Sequence, residues 1–239
     1  MRIVAFGSSH TTGYKLDDIA GQEFNAISKY SYPLVAAQEL KCECLNLGKT
    51  GNGIDQIYVD VFSYLPHSKP DDFLLIHLPI NTSWFRLITP DDNIVSIVKP
   101  DSLNHRGSQY KSALLQLYGT LTGDNHWIRL WYIYFYSLIT LIHAHKKKFV
   151  WFFDCKDKLY FEFEEQMSKM PEPAKTDIRN LKLASPDPNL NYIGLEFADH
   201  LCWHLPNSLK ECGHHTEQGH RFWASNVVVP YIKQRLTAP

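Results

Sequence analysis

The chain carries no excess of either charge: 24 Lys and Arg stand against 25 Asp and Glu, a formal net charge of −1. Without a basic stripe or a run of interleaved aromatics it has no footprint for a nucleic-acid backbone. It also lacks a long uninterrupted apolar run. The most apolar stretch, residues 127–142, is broken by Arg129 and falls short of the roughly 20 apolar residues that a membrane helix needs, so it reads as a buried helix. No membrane partner is expected. Met1-Arg2 passes directly into a strand-like run, without the apolar segment and small-residue cleavage site of a secretory leader, so a cytoplasmic protein is expected. Cysteines are few and odd in number (Cys42, Cys44, Cys155, Cys202 and Cys212), with no Cys-x-x-Cys pair. That argues against a disulfide framework or a zinc knuckle and predicts free thiols. Internal repeats, low-complexity tracts and the Gly-x-Ser-x-Gly elbow of classical α/β-hydrolases are absent as well.

What is present is 239 residues with 44% hydrophobic content, enough to bury the core of one α/β domain. Strand-like runs near 2–6, 43–47, 73–78, 149–153 and 191–195 alternate with helical patterns near 33–40, 54–65, 108–119, 127–145 and 217–235. Such alternation predicts βαβ units and a three-layer α/β/α sandwich on a mainly parallel five-stranded sheet. Residues 164–190, with Pro171, Pro173, Pro186 and Pro188, read as a polar surface excursion.

Two segments carry chemistry. The run Ile3-Val4-Ala5-Phe6 breaks at Gly7-Ser8-Ser9-His10-Thr11-Thr12, which places a hydroxyl at the carboxyl edge of a sheet, where open α/β folds keep their sites. Ser9 is therefore a candidate nucleophile. A serine hydroxyl needs a base within reach and a third group to orient that base. Near the other end, Glu211-Cys212-Gly213-His214-His215-Thr216-Glu217-Gln218-Gly219-His220 supplies a histidine, a carboxylate three residues before it, and the start of a helix.

This pair of blocks resembles those of the SGNH, or GDSL, hydrolase family. Gly7-Ser8-Ser9 matches the Gly-Asp-Ser block with Ser8 in place of Asp, and Glu211-Cys212-Gly213-His214 matches the Asp-x-x-His block with Glu in place of Asp. Asn46-Leu47-Gly48-Lys49-Thr50-Gly51-Asn52-Gly53 is similar to the family's second block. Phe73 through Thr82 has the shape of the third, with Pro79 for Gly and Thr82 for Asp. The four blocks span residues 7–220 and are similar in flavour to divergent SGNH proteins of bacteriophages.

The resemblance implies an SGNH-hydrolase, flavodoxin-like fold and a serine esterase. Its triad would be Ser9, His214 and Glu211, its oxyanion hole the backbone N–H groups of Ser9 and Gly51 with the Asn81 side chain, and it would need no metal or cofactor. The family spacing gives His214 the catalytic place, His215 the place of a proline, and His220 a structural one. The implied substrate is an ester-bearing small molecule or carbohydrate. His10 flanks the nucleophile as a substrate-binding residue that would shape the pocket, and Trp84 and Arg86 follow the third block as an aromatic and an Arg at a cleft rim, suited to a sugar or anionic group. Each residue also has a plainer reading: Ser9 as a turn residue, Gly51 as a site of positive φ, Asn81 as a cap, Trp84 as core, His77 as a core histidine, Glu211 as a solvated loop charge, with Asp199 a weaker candidate for the orienting carboxylate. The rival functions are a noncatalytic carbohydrate- or protein-binding module on the same fold, and an acyltransferase using the same residues.

Overall fold

The computed structural model describes residues 1–22, 25–79, 85–88, 94–97, 124–155, 161, 163–210 and 213–237, with the backbone alone at 85–88, 94–97 and 124–127. Strands β1 (Arg2–Phe6), β2 (Glu43–Asn46), β3 (Asp72–Leu78) and β6 (Lys148–Phe153) form one sheet in the order β2-β1-β3-β6. All three pairings are parallel. The antiparallel pair β4 (Phe85–Ile88) and β5 (Ile94–Ile97) stands apart from it.

The central strands are continuous apolar runs because both of their faces are covered. Alternate residues face opposite sides. Val4, Phe6, Leu74, Ile76, Phe149, Trp151 and Phe153 join one core with α3 (Ile54–Tyr64), α4 (Asp124–Ala144), α5 (Phe163–Ser168) and α6 (Glu172–Ala184). Ile3, Ala5, Phe73, Leu75, Val150 and Phe152 join the other, with α2 (Tyr32–Glu39), α7 (Phe197–His204) and the C-terminal helix. The helices bury one stripe each, as Ile54, Ile57 and Val61 do on α3 and Phe135, Leu138, Ile139 and Ile142 do on α4. The last helix runs as α8 (Glu217–Trp223), a π-helical turn at Ala224–Val228, and α9 (Val229–Thr237). Pro230 has no N–H to give to the preceding turn, which accounts for the local widening.

The α/β/α sandwich expected from the sequence is the fold observed, with four parallel strands in place of five. Around 191–195 the predicted strand shrinks to a single bridge between Trp151 and Tyr192, supported by the Ile193 N–H on the Trp151 carbonyl at 3.0 Å. Pro188–Asn191 forms a 3-10 turn ahead of it, and Gly194 at φ 80° turns the chain away just after, so no ladder can extend. Residues 164–190, expected as a surface excursion, are mostly exposed but regular. They carry α5 and α6, whose Met167 and Ile178 are completely buried against α4. The helix expected near 108–119 lies outside the described residues. Among the described residues, no helix is long and apolar enough to cross a membrane.

Candidate active site

β1 ends at Phe6, and Gly7 carries the chain over β3. A Cβ at Gly7 would lie 2.1 Å from Thr11 Oγ1 and 2.9 Å from both the Cβ and the carbonyl oxygen of His77, so only glycine fits there. Ser8 then opens the short helix α1 (Ser9–Thr12), its carbonyl accepting the N–H groups of Thr11 at 3.0 Å and Thr12 at 3.2 Å. Ser9 is the first residue of that turn and half-buried, and a first-turn N–H has no partner within its own helix. The Thr12 hydroxyl and the Tyr14 N–H both donate to the Ser9 carbonyl, at 2.8 and 2.9 Å, which holds the backbone of the turn.

The Gly-rich segment after β2 is tied to this turn. Leu47 N–H donates to the Ala5 carbonyl at 2.8 Å and Lys49 N–H to the Gly7 carbonyl at 3.0 Å, prolonging the β1–β2 pairing past the sheet edge. Gly51 has φ 79°, as the turn reading required, and Asn52 N–H closes the turn on the Lys49 carbonyl at 3.1 Å.

The C-terminal block approaches from the other side. Lys210 N–H donates to the His214 carbonyl at 2.8 Å and Gly213 N–H to the Lys210 carbonyl at 2.9 Å, with Gly213 at φ 80°. The Lys210 ammonium reaches the Lys15 carbonyl and the Asp17 carboxylate, both at 2.9 Å, pinning this turn to the segment that follows α1. His214, half-buried, sets its ring edge-to-face against His10 of α1 at 5.0 Å between centroids and against Tyr14, just after α1, at 5.3 Å. The block holding the candidate base thus packs onto the turn that begins with the candidate nucleophile.

His215 and His220 are buried more deeply, and the His215 ring also lies 5.8 Å from that of His10. His215 is fully buried, with Nδ1 on the Ser208 hydroxyl at 3.0 Å, and burial pushes its pKa down to about 4. His220 accepts the Tyr32 N–H on Nδ1 at 3.2 Å, satisfying a donor at the start of α2 that the helix itself leaves open. Burial holds its pKa well below the usual value.

His10, expected to shape the pocket, is buried. Its ring turns inward, 4% exposed, and its Nδ1 lies 2.7 Å from Asp154 Oδ1. Residue 10 on the first helical turn faces the sheet, and the space it enters is the carboxyl edge between β3 and β6. Burial disfavours charge on this ring, but the Asp154 carboxylate overrides it and raises the His10 pKa. Burial would likewise raise the Asp154 pKa, and the His10 and His77 rings hold it far below the ordinary carboxylate range. His77 is the core histidine expected, with no exposed surface. Its Nδ1 lies 3.3 Å from both Thr11 Oγ1 and Tyr32 OH, its Nε2 lies 3.4 Å from Asp154 Oδ1, and burial lowers its pKa.

His10, His77 and Asp154 converge within 4.8 Å, the kind of donor set that could hold a cation. At 2.7 Å the His10–Asp154 contact has hydrogen-bond length, so a metal ion there would have to displace the proton the two share.

Asp154 is the residue that the sequence reading missed. Its signal was a lone carboxylate directly after Phe149-Val150-Trp151-Phe152-Phe153, a strand buried on both faces whose carboxyl end must lie at the site edge. Glu211, Asn81 and Trp84 lie outside the described residues. Arg86 is on β4, opposite Ser96 in the register.

No protein-family model and no curated protein sequence matches the chain. Solved structures do. The chain is similar to TesA, with a TM-score of 0.54 at 11% identity over 98% of this chain and 99% of that one. A protein assigned to the lipolytic G-D-S-L family from Desulfitobacterium hafniense DCB-2 gives 0.50 at 12% identity over 98% of each chain. The acetyl xylan esterase Est2A from the rumen bacterium Butyrivibrio proteoclasticus gives 0.53 at 12% identity, over 98% of this chain and 64% of that one. The chain has the SGNH-hydrolase fold, in agreement with the resemblance of its four sequence blocks.

Proposed function

We propose that the protein is a serine acyl hydrolase acting on an ester-bearing small molecule or carbohydrate. The observation that carries this reading is the seating of the His214 ring on His10 and Tyr14, within the turn that Ser9 opens at the carboxyl edge of the sheet. In the proposed reaction His214 takes the Ser9 proton as Ser9 Oγ attacks the ester carbonyl. The resulting tetrahedral oxyanion is received by the Ser9 and Gly51 N–H groups and the Asn81 amide. Collapse expels the alcohol, which takes the proton back from His214, and leaves an acyl-enzyme. Water, deprotonated by His214, then releases the acid and regenerates Ser9. Glu211 holds the imidazole in the tautomer that accepts the serine proton. Losing one oxyanion donor commonly costs ~10²–10³ in turnover.

Two features of the fold support it. Gly7 brings the start of α1 down onto β3, so the hydroxyl stands on a backbone fixed from below. The neighbouring Gly-rich turn is hydrogen-bonded to the same Gly7, which keeps two candidate N–H donors in one rigid unit. The test is turnover of a short-chain aryl ester by the parent and by Ser9→Ala, with melting temperature as the control for folding. Loss of turnover at an unchanged melting temperature supports the reading, and retained turnover overturns it.

A further inference from the structure

One ion pair at the carboxyl edge of the sheet is buried on all sides. Asp154 is 2% exposed, and its backbone is held by its N–H on the Leu78 carbonyl at 3.0 Å and by the Ala198 N–H on its own carbonyl at 2.6 Å. Its Oδ1 takes the His10 Nδ1–H at 2.7 Å, so the imidazole plane of His10 is set by a carboxylate anchored between β3 and α7. The other edge of the His10 ring faces the C-terminal block. His214 lies edge-to-face on it at 5.0 Å, and the Gly213 carbonyl is near enough to favour its charged form, although His10 Nε2 makes no hydrogen bond of full geometry. Three other buried histidines, His77, His215 and His220, have depressed pKa values and stay neutral. The His10–Asp154 pair therefore sits among rings that burial keeps from gaining charge, directly behind the base.

A buried ion pair is a poor source of stability, since apolar side chains of similar volume often do as well or better. Orientation is what this pair supplies. Resting on this reading of Ser9 as nucleophile and His214 as base, we propose that His10 and Asp154 are positioning residues: Asp154 fixes the His10 ring, and that ring seats His214 and the Gly213 carbonyl beside Ser9. Neither residue touches the ester. His10 is adjacent to Ser9 in the chain, so one helical turn carries both the nucleophile and the surface that aligns its base.

The experiment uses Asp154→Asn, which keeps size and an acceptor but removes the charge, and the double variant His10→Leu/Asp154→Leu, which removes both charges and leaves neither partner unpaired. In each, kcat on an aryl ester should fall by up to about 10²-fold, the cost of a misaligned reacting pair, with KM and melting temperature close to the parent. In a His214→Ala background, Asp154→Asn should cause no further loss, because the pair acts through His214. Parent-like kcat in either folded variant, or full additivity with His214→Ala, overturns the proposal. A readout independent of activity is the ring-nitrogen NMR of histidine-labelled protein. Asp154→Asn should perturb the His214 ring signals together with those of His10, and unperturbed His214 signals again overturn it. If the parent hydrolyses no ester, the reading of Ser9 is what fails, and the ring signals still decide whether His10 seats His214.

Discussion

Asn46 Nδ2 donates to the Thr11 carbonyl at 2.7 Å, while its Oδ1 receives the Gly48 N–H at 3.0 Å. One buried amide at the end of β2 thus joins the helical turn of Ser9 to the Gly-rich turn of Gly51. Asn46→Leu, similar in volume, should leave both backbone groups unpaired and lower stability by about 2–6 kcal/mol, at about 1–3 kcal/mol per unsatisfied buried group. Urea unfolding measures it. A midpoint equal to the parent's would show that the two turns are held by other contacts.

Gly7→Ala should be costlier to activity than its single methyl implies. The added Cβ meets Thr11 Oγ1 and, at 2.9 Å, both the Cβ and the carbonyl oxygen of His77, and the last two cannot move without shifting β3. Overpacking of this kind costs roughly 1–3 kcal/mol. If the chain folds, the displacement falls on Ser9, and ester turnover should drop well beyond what the lowered melting temperature accounts for. Parent-like turnover would mean that the turn has slack the structure does not show.

How much of this was legible in the sequence follows from where each residue sits. The parallel strands announced themselves as apolar runs because they are covered on both sides, and the turn at Ser9 because such a run ends just before it at Gly7. The fifth strand failed because Gly194 and the Pro188 turn bend the chain locally, which outweighs the apolar character of Tyr192 and Ile193. The inward turn of His10 was not legible. It depends on Asp154, 144 residues away, and only the closed sheet brings the two together.

The histidine cluster gives stability a peak near neutral pH. His77, His215 and His220 have lowered pKa values, so below the unfolded histidine value of about 6.5 the unfolded chain binds protons that the folded one refuses. Stability then falls with falling pH, for His215 down through its folded value of about 4. His10 has the opposite sign: its raised pKa contributes stability that is complete below about 6.5 and lost as pH rises through its folded value. Asp154, lowered, contributes above about 3.9 and loses this only in stronger acid. Three groups act on the acid side and one on the alkaline side, so denaturant midpoints between about pH 4 and pH 8 should fall more steeply toward acid. A midpoint that keeps rising toward acid would contradict the neutral histidines.

The two adjacent histidines should separate cleanly. His214→Ala should abolish turnover with little effect on melting, whereas His215→Ala, which leaves Ser208 without its ring partner, should lower the melting temperature first. Glu211→Gln should lose most turnover, as removal of the orienting carboxylate does in a triad, and Glu211→Asp should keep much more. If His215→Ala proves the more damaging to kcat, the assignment of the last block is off by one residue. If both Glu211 variants match the parent, the carboxylate is not part of the site.

The central claim is that Ser9 is an activated nucleophile, and the most direct measurement is covalent labelling by a fluorophosphonate followed by peptide mass analysis. The parent should carry one adduct, on the peptide that begins after Phe6 and at Ser9, with labelling suppressed in His214→Ala and absent in Ser9→Ala. No adduct on the folded parent, or an adduct that persists in Ser9→Ala, would contradict it.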